Sequence, residues 1–332
     1  MPHPVTILYH ADCLDGFGAA YAAWCRYGGA ANYRPMHHGT PLDIEDMAGH
    51  EVVILDFSYP PALIERMAGI ARSVTLIDHH VSALKEWAGR TQVVGNVHTF
   101  THPHLPLTVR FDMTKSGARL AWEHFHPESA IPLAIQHIED QDLWRFSLEG
   151  TRPFCRALRL MPFDLETWHC LISESSETSS PRYIETLNQG TAIETFFQRE
   201  VERLAQSPLR MPARLRGEPV DALQASRHGR EFISHEDLAW LAVGGLAINA
   251  NALFASELGN LLAEQSASFG MVWQLSGDGE VKISLRSQSG RPDVSVIAAR
   301  YGGGGHASAA GFRLPARQFF SEVLGCAAPN TL

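Results

Sequence analysis

The stretch Val5-Thr6-Ile7-Leu8-Tyr9-His10-Ala11-Asp12-Cys13-Leu14-Asp15-Gly16 decides how this chain is read. Its first half is an apolar, partly β-branched run of strand length that breaks on small and polar residues. Phe17 to Trp24 continues small and apolar, as in a buried helix. The same pattern returns at Glu51 to Leu55, closing on Asp56, and at Val74 to Ile77, closing on Asp78-His79-His80. Strands alternating with helical stretches predict an α/β fold with a parallel sheet, in which ligands sit beyond the carboxyl ends of the strands. Polar residues that close successive strands are then expected to meet on one rim.

Further along, Ile135 to Ile138 reads as a fourth strand ahead of Glu139-Asp140-Gln141-Asp142, and Phe111 to Phe125 as a helix capped near Thr114 or Ser116. Between Thr151 and Gln206 the strand signal fades, and Tyr183 to Leu204 carries apolar residues at helical spacing. An Arg-rich, Pro-punctuated stretch from Pro208 to Arg230 opens a second domain. It continues as a strand (Leu246 to Ala250), a helix (Leu253 to Glu264) and a hairpin (Phe269 to Arg286). At 332 residues the chain exceeds the usual span of one core. The expected division is a domain over 1–150, a helical connector over 151–208 and a smaller α/β domain over 209–332.

The balance of 36 acidic against 27 basic residues, a formal charge of −9, argues against a duplex nucleic acid as ligand and favours short substrates. Cys13, Cys25, Cys155, Cys170 and Cys326 are odd in number and scattered, without CxxC spacing, which suits a reducing cytoplasm. Met1 to Thr6 has no signal-peptide pattern. The most apolar stretch, Leu238 to Ala255, is interrupted by Gly244, Gly245, Asn249 and Asn251, so no membrane role is expected.

Hydrolysing a phosphodiester near neutral pH needs a deprotonated water and relief of the charge that builds on the leaving oxygen. Two divalent cations roughly 3.5 to 4 Å apart supply both. His10, Asp15, Asp56, Asp78, His79 and Asp140 form a fitting donor set, each expected at a strand end. Mixed oxygen and nitrogen donors suit Mn2+, with Mg2+ as the alternative. A single Asp after a strand is more often a turn residue, so the recurrence carries the weight. In the second half, Arg300-Tyr301-Gly302-Gly303-Gly304-Gly305-His306 puts four flexible residues beside a histidine, and such a run lets backbone amides approach a phosphate.

These motifs resemble the DHH phosphoesterase superfamily: HADCLDG as its first motif, Asp56 its second, Asp78-His79-His80 its third and Asp140 within EDQDLW its fourth. GGGGHASAAGF with the upstream SLRS resembles the accompanying DHHA1 domain. The resemblance implies that His10, Asp15, Asp56, His79 and Asp140 ligate metal, with Asp78 and His80 as ligand, orienting group or phosphate contact. It further implies that Arg286 holds a terminal phosphate, with Ser287, Gly303, Gly304, Gly305 and His306 contacting phosphate or base, and a catalytic cleft between the two domains. The first motif departs from the commoner D-x-D form: Cys13 stands where the leading aspartate is expected. Asp12 is the favoured replacement ligand over a Cys13 thiolate, and Asp142 is the rival to Asp140.

The implied activity is that of a nanoRNase or oligoribonuclease: hydrolysis of short oligoribonucleotides, of linear dinucleotides such as pGpG or pApA, or of 3′-phosphoadenosine 5′-phosphate. A RecJ-like single-strand exonuclease and a non-catalytic nucleotide sensor are the alternatives, and a homodimer is the default assembly. Several other signals are set aside. His98, His102 and His104 read as an irregular surface loop, His37 and His38 as cleft or loop, Arg210, Arg214 and Arg216 as a solvated face, and Trp144 as core rather than a base-stacking platform.

Overall fold

The computed structural model describes residues 3–37, 40–235 and 238–325; His38 and Cys326 lie outside them. The chain divides into two compact units, Met1–Phe196 and Phe197–Leu332.

The first unit runs β1 (Val5–His10), α1 (Leu14–Tyr27), β2 (Ala31–Met36), β3 (Glu51–Leu55), α2 (Pro61–Ala68), β4 (Ser73–Asp78), α3 (Val81–Glu86), β5 (Gln92–Val94), β6 (Val97–Thr101), β7 (Leu107–Phe111), α4 (Gly117–Phe125) and α5 (Leu133–Asp142). Helices α6 (Thr151–Leu160), α7 (Leu165–Glu174) and α8 (Pro181–Ala205) follow, and the division between the units falls inside α8. The sheet order is β2-β1-β3-β4-β7-β6-β5, parallel from β2 to β7 and antiparallel at β6 and β5.

The apolar runs read as strands are buried on both faces, and side chains alternate across the pleat. Ile7, Tyr9, Val53 and Leu55 pack under α1, α4 and α5, while Leu8, Val52, Ile54 and Leu76 pack against the opposite layer with Ile64 and Met67 of α2. Each such buried aliphatic is worth about 2 kcal/mol of transfer free energy. Ser116 caps α4 by accepting from the Arg119 amide.

Two sequence expectations change here. Ile135 to Ile138 is helix α5, not a strand: Pro132 stands just before its first turn, where a proline costs no hydrogen bond. The histidine tract is not wholly loop, because His98 pairs with Phe111 inside the β6–β7 hairpin. His102 shapes the turn beyond it, its Nδ1 accepting from the amides of His104 and Leu105.

The second unit continues α8 into β8 (Met211–Pro219), α9 (Ala222–Arg227), β9 (Phe232–His235), β10 (Leu238–Asn249), α10 (Ala255–Ser266), β11 (Phe269–Leu275), β12 (Glu280–Arg286), α11 (Val294–Ala299), β13 (Gly304–His306) and β14 (Ala309–Pro315). Its sheet order is β13-β14-β12-β11-β10-β8, with β9 also pairing β10. One face buries Leu215, Met271, Ile283 and Leu285; the other packs Ile248 and Val272 on α10 and on Phe197 and Val201 of α8. Arg216 departs from the expected solvated face: it is 6% exposed, paired with Glu322 at 2.7 and 2.8 Å, and stacked over Tyr301. Arg210 and Arg214 reach Gln265 and Glu231. No helix among the described residues is long and apolar enough to cross a membrane.

Candidate metal centre

Strands β1, β3 and β4 are parallel neighbours, so their carboxyl ends open on the same rim. His10 ends β1, Asp56 follows β3, and Asp78 ends β4 with His79 and His80 beyond it. Asp15 enters from the first turn of α1. Possible ligand atoms cluster in three overlapping groups: Asp56, Asp78, His79 and His80; His10, Cys13 and Asp56; and Asp15, His79 and Asp142.

Asp56 belongs to two of these groups. Its Oδ2 faces His10 Nδ1 at 3.6 Å and its Oδ1 faces His79 Nε2 at 3.2 Å. It is 1% exposed, and Oδ1 meets no donor in hydrogen-bonding geometry. Asp78 Oδ2 is likewise buried without a partner. Burial of an unpaired carboxylate oxygen is costly, and a cation at the cluster removes that cost. The donor set, carboxylates with imidazoles, fits a pair of divalent cations.

The electrostatics point the same way. Burial raises the Asp15 carboxyl well above its ordinary range, and Asp56 and Asp142 add to this by repulsion. Burial also raises Asp142, with Asp56 contributing. Asp56 moves oppositely: burial opposes its ionisation, but the facing His10 and His79 outweigh that and hold it well below the carboxylate range. Against the cost of burial, Asp56 raises His79 to about 10. Without a metal, the His79 imidazolium is therefore the cation that the acidic groups have gathered.

Backbone geometry brings these groups close. Asp56 has φ 62, in the left-handed region, and turns its carboxylate into the cluster. Gly117 makes room for it, since a Cβ there would lie 2.5 Å from Asp56 Oδ1. The Asp15 carboxylate accepts from the amides of Gly117 at 2.6 Å and Ala118 at 2.9 Å, so it also caps α4. Asp78 Oδ1 accepts from the amides of His79 and His80 and contacts His80 Nδ1 at 2.6 Å, which fixes the His80 ring.

The structure brings Asp142, not Asp140, to this cluster. Asp142 Oδ2 stands 3.6 Å from His79 Nε2. Asp140 instead accepts from the Ser147 amide and hydroxyl, the Leu148 amide and the Thr151 hydroxyl. Those bonds close a turn in which Trp144 and Phe146 take positive φ. Trp144 is 42% exposed rather than core, and it stands edge-on to Phe146. Cys13, not Asp12, lies beside His10 and Asp56 as a third possible donor. The Asp12 side chain, at φ 55, is 83% exposed and lies 3.8 Å from His37. Burial pushes the Cys13 thiol well up, and Asp56, Asp142 and Asp15 push it further.

In the second unit, Arg286, Ala309 and His306 form one row across β12, β14 and β13. The Arg286 guanidinium donates to Ser256 Oγ and to Leu285 O. Burial lowers its pKa. The Ser287 hydroxyl is buried and finds no partner. The glycine run is less flexible than its composition suggests. Gly303 donates to Ala298 O, and Gly304 and Gly305 pair with β14. A Cβ at Gly303 would meet Gly311 O at 2.1 Å.

Residues 247–325 match the DHHA1 domain family. The chain carries a DHHA1 domain. That match bears out the DHHA1 part of the resemblance read from the sequence. The DHHA1 domain begins within β10 and takes in the Arg286–His306 row. Over 339 aligned residues the chain is 26% identical to the uncharacterized protein R106 of Acanthamoeba polyphaga mimivirus, covering 96% of this chain and 68% of that protein. Among solved structures it is similar to PggH, a pGpG-specific phosphodiesterase from Vibrio cholerae, at 13% identity and a TM-score of 0.44, covering 95% of this chain and 94% of that one. It is also similar to RecJ from Thermus thermophilus in complex with Mn2+, at 12% identity and a TM-score of 0.46, covering 96% of this chain and 50% of that one.

Proposed function

We infer that this protein is a metal-dependent phosphodiesterase that hydrolyses short nucleotides to mononucleotides. The observation that carries the reading is Asp56, whose two oxygens face two separate sets of donors, His10 on one side and His79 on the other. A carboxylate so placed is suited to bridge a pair of cations, Mn2+ or alternatively Mg2+. When bound, such a pair supplies a deprotonated water and offsets charge on the phosphate.

The chain's own residues do the rest. Asp15, His79 and Asp142 hold one side, and His10 and Asp56 the other. Asp78 fixes the His80 ring so that it meets the phosphate in one orientation. In the DHHA1 domain, Arg286 offers a planar fork of donors to a phosphate, and the buried Ser287 hydroxyl lies next to it in sequence. The acidic balance of the chain favours dinucleotides and short oligoribonucleotides over duplexes.

The test is a hydrolysis panel with Mn2+ or Mg2+: linear dinucleotides, longer RNA, single-stranded DNA, cyclic dinucleotides and 3′-phosphoadenosine 5′-phosphate. Mononucleotide release from dinucleotides is expected, and its loss in Asp78→Ala and His79→Ala with the circular-dichroism spectrum retained. Full turnover in both variants, or no metal-dependent release from any substrate, overturns the reading.

A further inference from the structure

We propose that Cys13 binds metal as a thiolate, so that the two cation positions differ in kind. The His10–Cys13–Asp56 position prefers a borderline ion such as Co2+ or Zn2+, and the Asp15–His79–Asp142 position a hard one. The proposal rests on the reading of this cluster as a two-cation site.

Three observations carry it. Cys13 Sγ, a ring nitrogen of His10 and a carboxylate oxygen of Asp56 lie within 4.8 Å of one another. Asp56 is buried, and while its Oδ1 pairs with His79 at 3.2 Å, its Oδ2 is turned to the His10 side, 3.6 Å from Nδ1. Cys13 is the N-cap residue of the 14-residue helix α1 and makes no side-chain capping bond. Its sulfur is therefore not committed to the helix, and a bound cation is what would displace the proton of this buried thiol. The competing oxygen donor, Asp12, is directed into solvent beside His37.

Thiolate and imidazole with one carboxylate resemble the donor sets of zinc sites, whereas Mg2+ gains little from sulfur. On binding, the Cys13 S–H bond gives its proton to solvent and the sulfur lone pair forms the metal bond. The charge of the protein–metal unit therefore falls by one relative to a neutral-thiol complex.

The experiment titrates Co2+ alone, without oxygen, into the full-length protein and into Cys13→Ser, Cys13→Asp and Cys170→Ser. Wild type and Cys170→Ser are expected to show a near-ultraviolet thiolate-to-cobalt charge-transfer band. Cys13→Ser and Cys13→Asp should lack it, while Cys13→Asp keeps the visible ligand-field bands. In competition calorimetry, Cys13→Asp should lose the Co2+-over-Mg2+ preference by a factor on the order of tenfold or more. If two Co2+ ions bind to wild type without the charge-transfer band, the two-cation reading stands and the proposal fails. A band that persists in Cys13→Ser also overturns the proposal. If no Co2+ binds to wild type at all, both fail.

Discussion

The Asp142 carboxylate stands 3.6 Å from His79 Nε2, while Asp140, two residues earlier on the same helix, is bonded at 2.6 Å to the hydroxyl of Thr151. Two residues along an α-helix rotate a side chain by about 200°, so the two carboxylates face nearly opposite ways. One serves the cluster and the other holds the turn that follows.

Their substitutions should therefore have opposite signatures. Asp142→Asn is expected to weaken Mn2+ binding by roughly ten- to a hundredfold while leaving the metal-free protein as stable as wild type or more so. Relief of the cost of burying the charge, with repulsion from Asp56 added, gives the sign against the attraction of His79. Asp140→Ala should cost about 3 kcal/mol of stability, because several hydrogen bonds to a charged group are lost. Calorimetric titration and chemical denaturation separate the two, and the reverse assignment of effects would show that the roles are exchanged.

Gly117→Ala should act on the metal centre without removing a donor. The added Cβ would press on Asp56 Oδ1 and on Asp56 Cβ, 2.5 and 2.6 Å away. We expect Mn2+ affinity to fall at least about tenfold and stability to fall by about 1–3 kcal/mol. Unchanged affinity in a calorimetric titration would mean that Asp56 can move aside and still bind.

His137 gives the first unit a defined pH dependence. Its Nε2 contacts the Tyr183 hydroxyl and its Nδ1 the Thr151 hydroxyl, both at 2.9 Å. Thr151 donates its own proton to Asp140, so it must accept from Nδ1–H, which makes Nε2 the acceptor for Tyr183. Both ring nitrogens are used by the neutral form, and burial lowers the pKa from 6.5 to about 4. The unfolded chain takes up the proton first on acidification. The contribution is complete above pH 6.5 and is lost as pH falls toward 4, by about 1.4 kcal/mol per pH unit. Denaturation midpoints of wild type and His137→Gln across that range measure it; parallel curves would refute it.

In the second unit, Arg216→Met should destabilise by about 3 kcal/mol, because the Glu322 carboxylate, its side chain 9% exposed, keeps Tyr301 and Gln318 but loses its guanidinium. The double variant Arg216→Met/Glu322→Gln should recover part of the loss. Thermal unfolding of the three proteins provides the comparison, and a single variant as stable as wild type would show that water replaces the arginine.

Much of the site was legible because chemistry and topology repeat each other. Each of β1, β3 and β4 is an apolar run closed by His10, Asp56 or Asp78, and parallel neighbours must present those ends together. The error at Ile135–Ile138 came from a short apolar run whose period does not distinguish strand from helix. On a strand, Asp140 and Asp142 would share a face and either could serve; on α5 they cannot. Pro132 was the available signal for a helix start. The choice of Cys13 over Asp12 depends on the left-handed backbone at Asp12, which no composition rule reveals. The burial of Arg216 depends on Glu322, 106 residues away, and such pairings leave no local trace.

The left-handed backbone at Asp56 also limits which sequences this position can explore. A β-branched or bulky residue there would add strain to the loss of the carboxylate, since it disfavours that conformation. Asparagine and glycine fit the turn, so a lineage that abandons metal chemistry can keep the fold through one of those two. Reading Asn or Gly at this position in a descendant would thus mark the loss of this carboxylate in a protein whose architecture has survived.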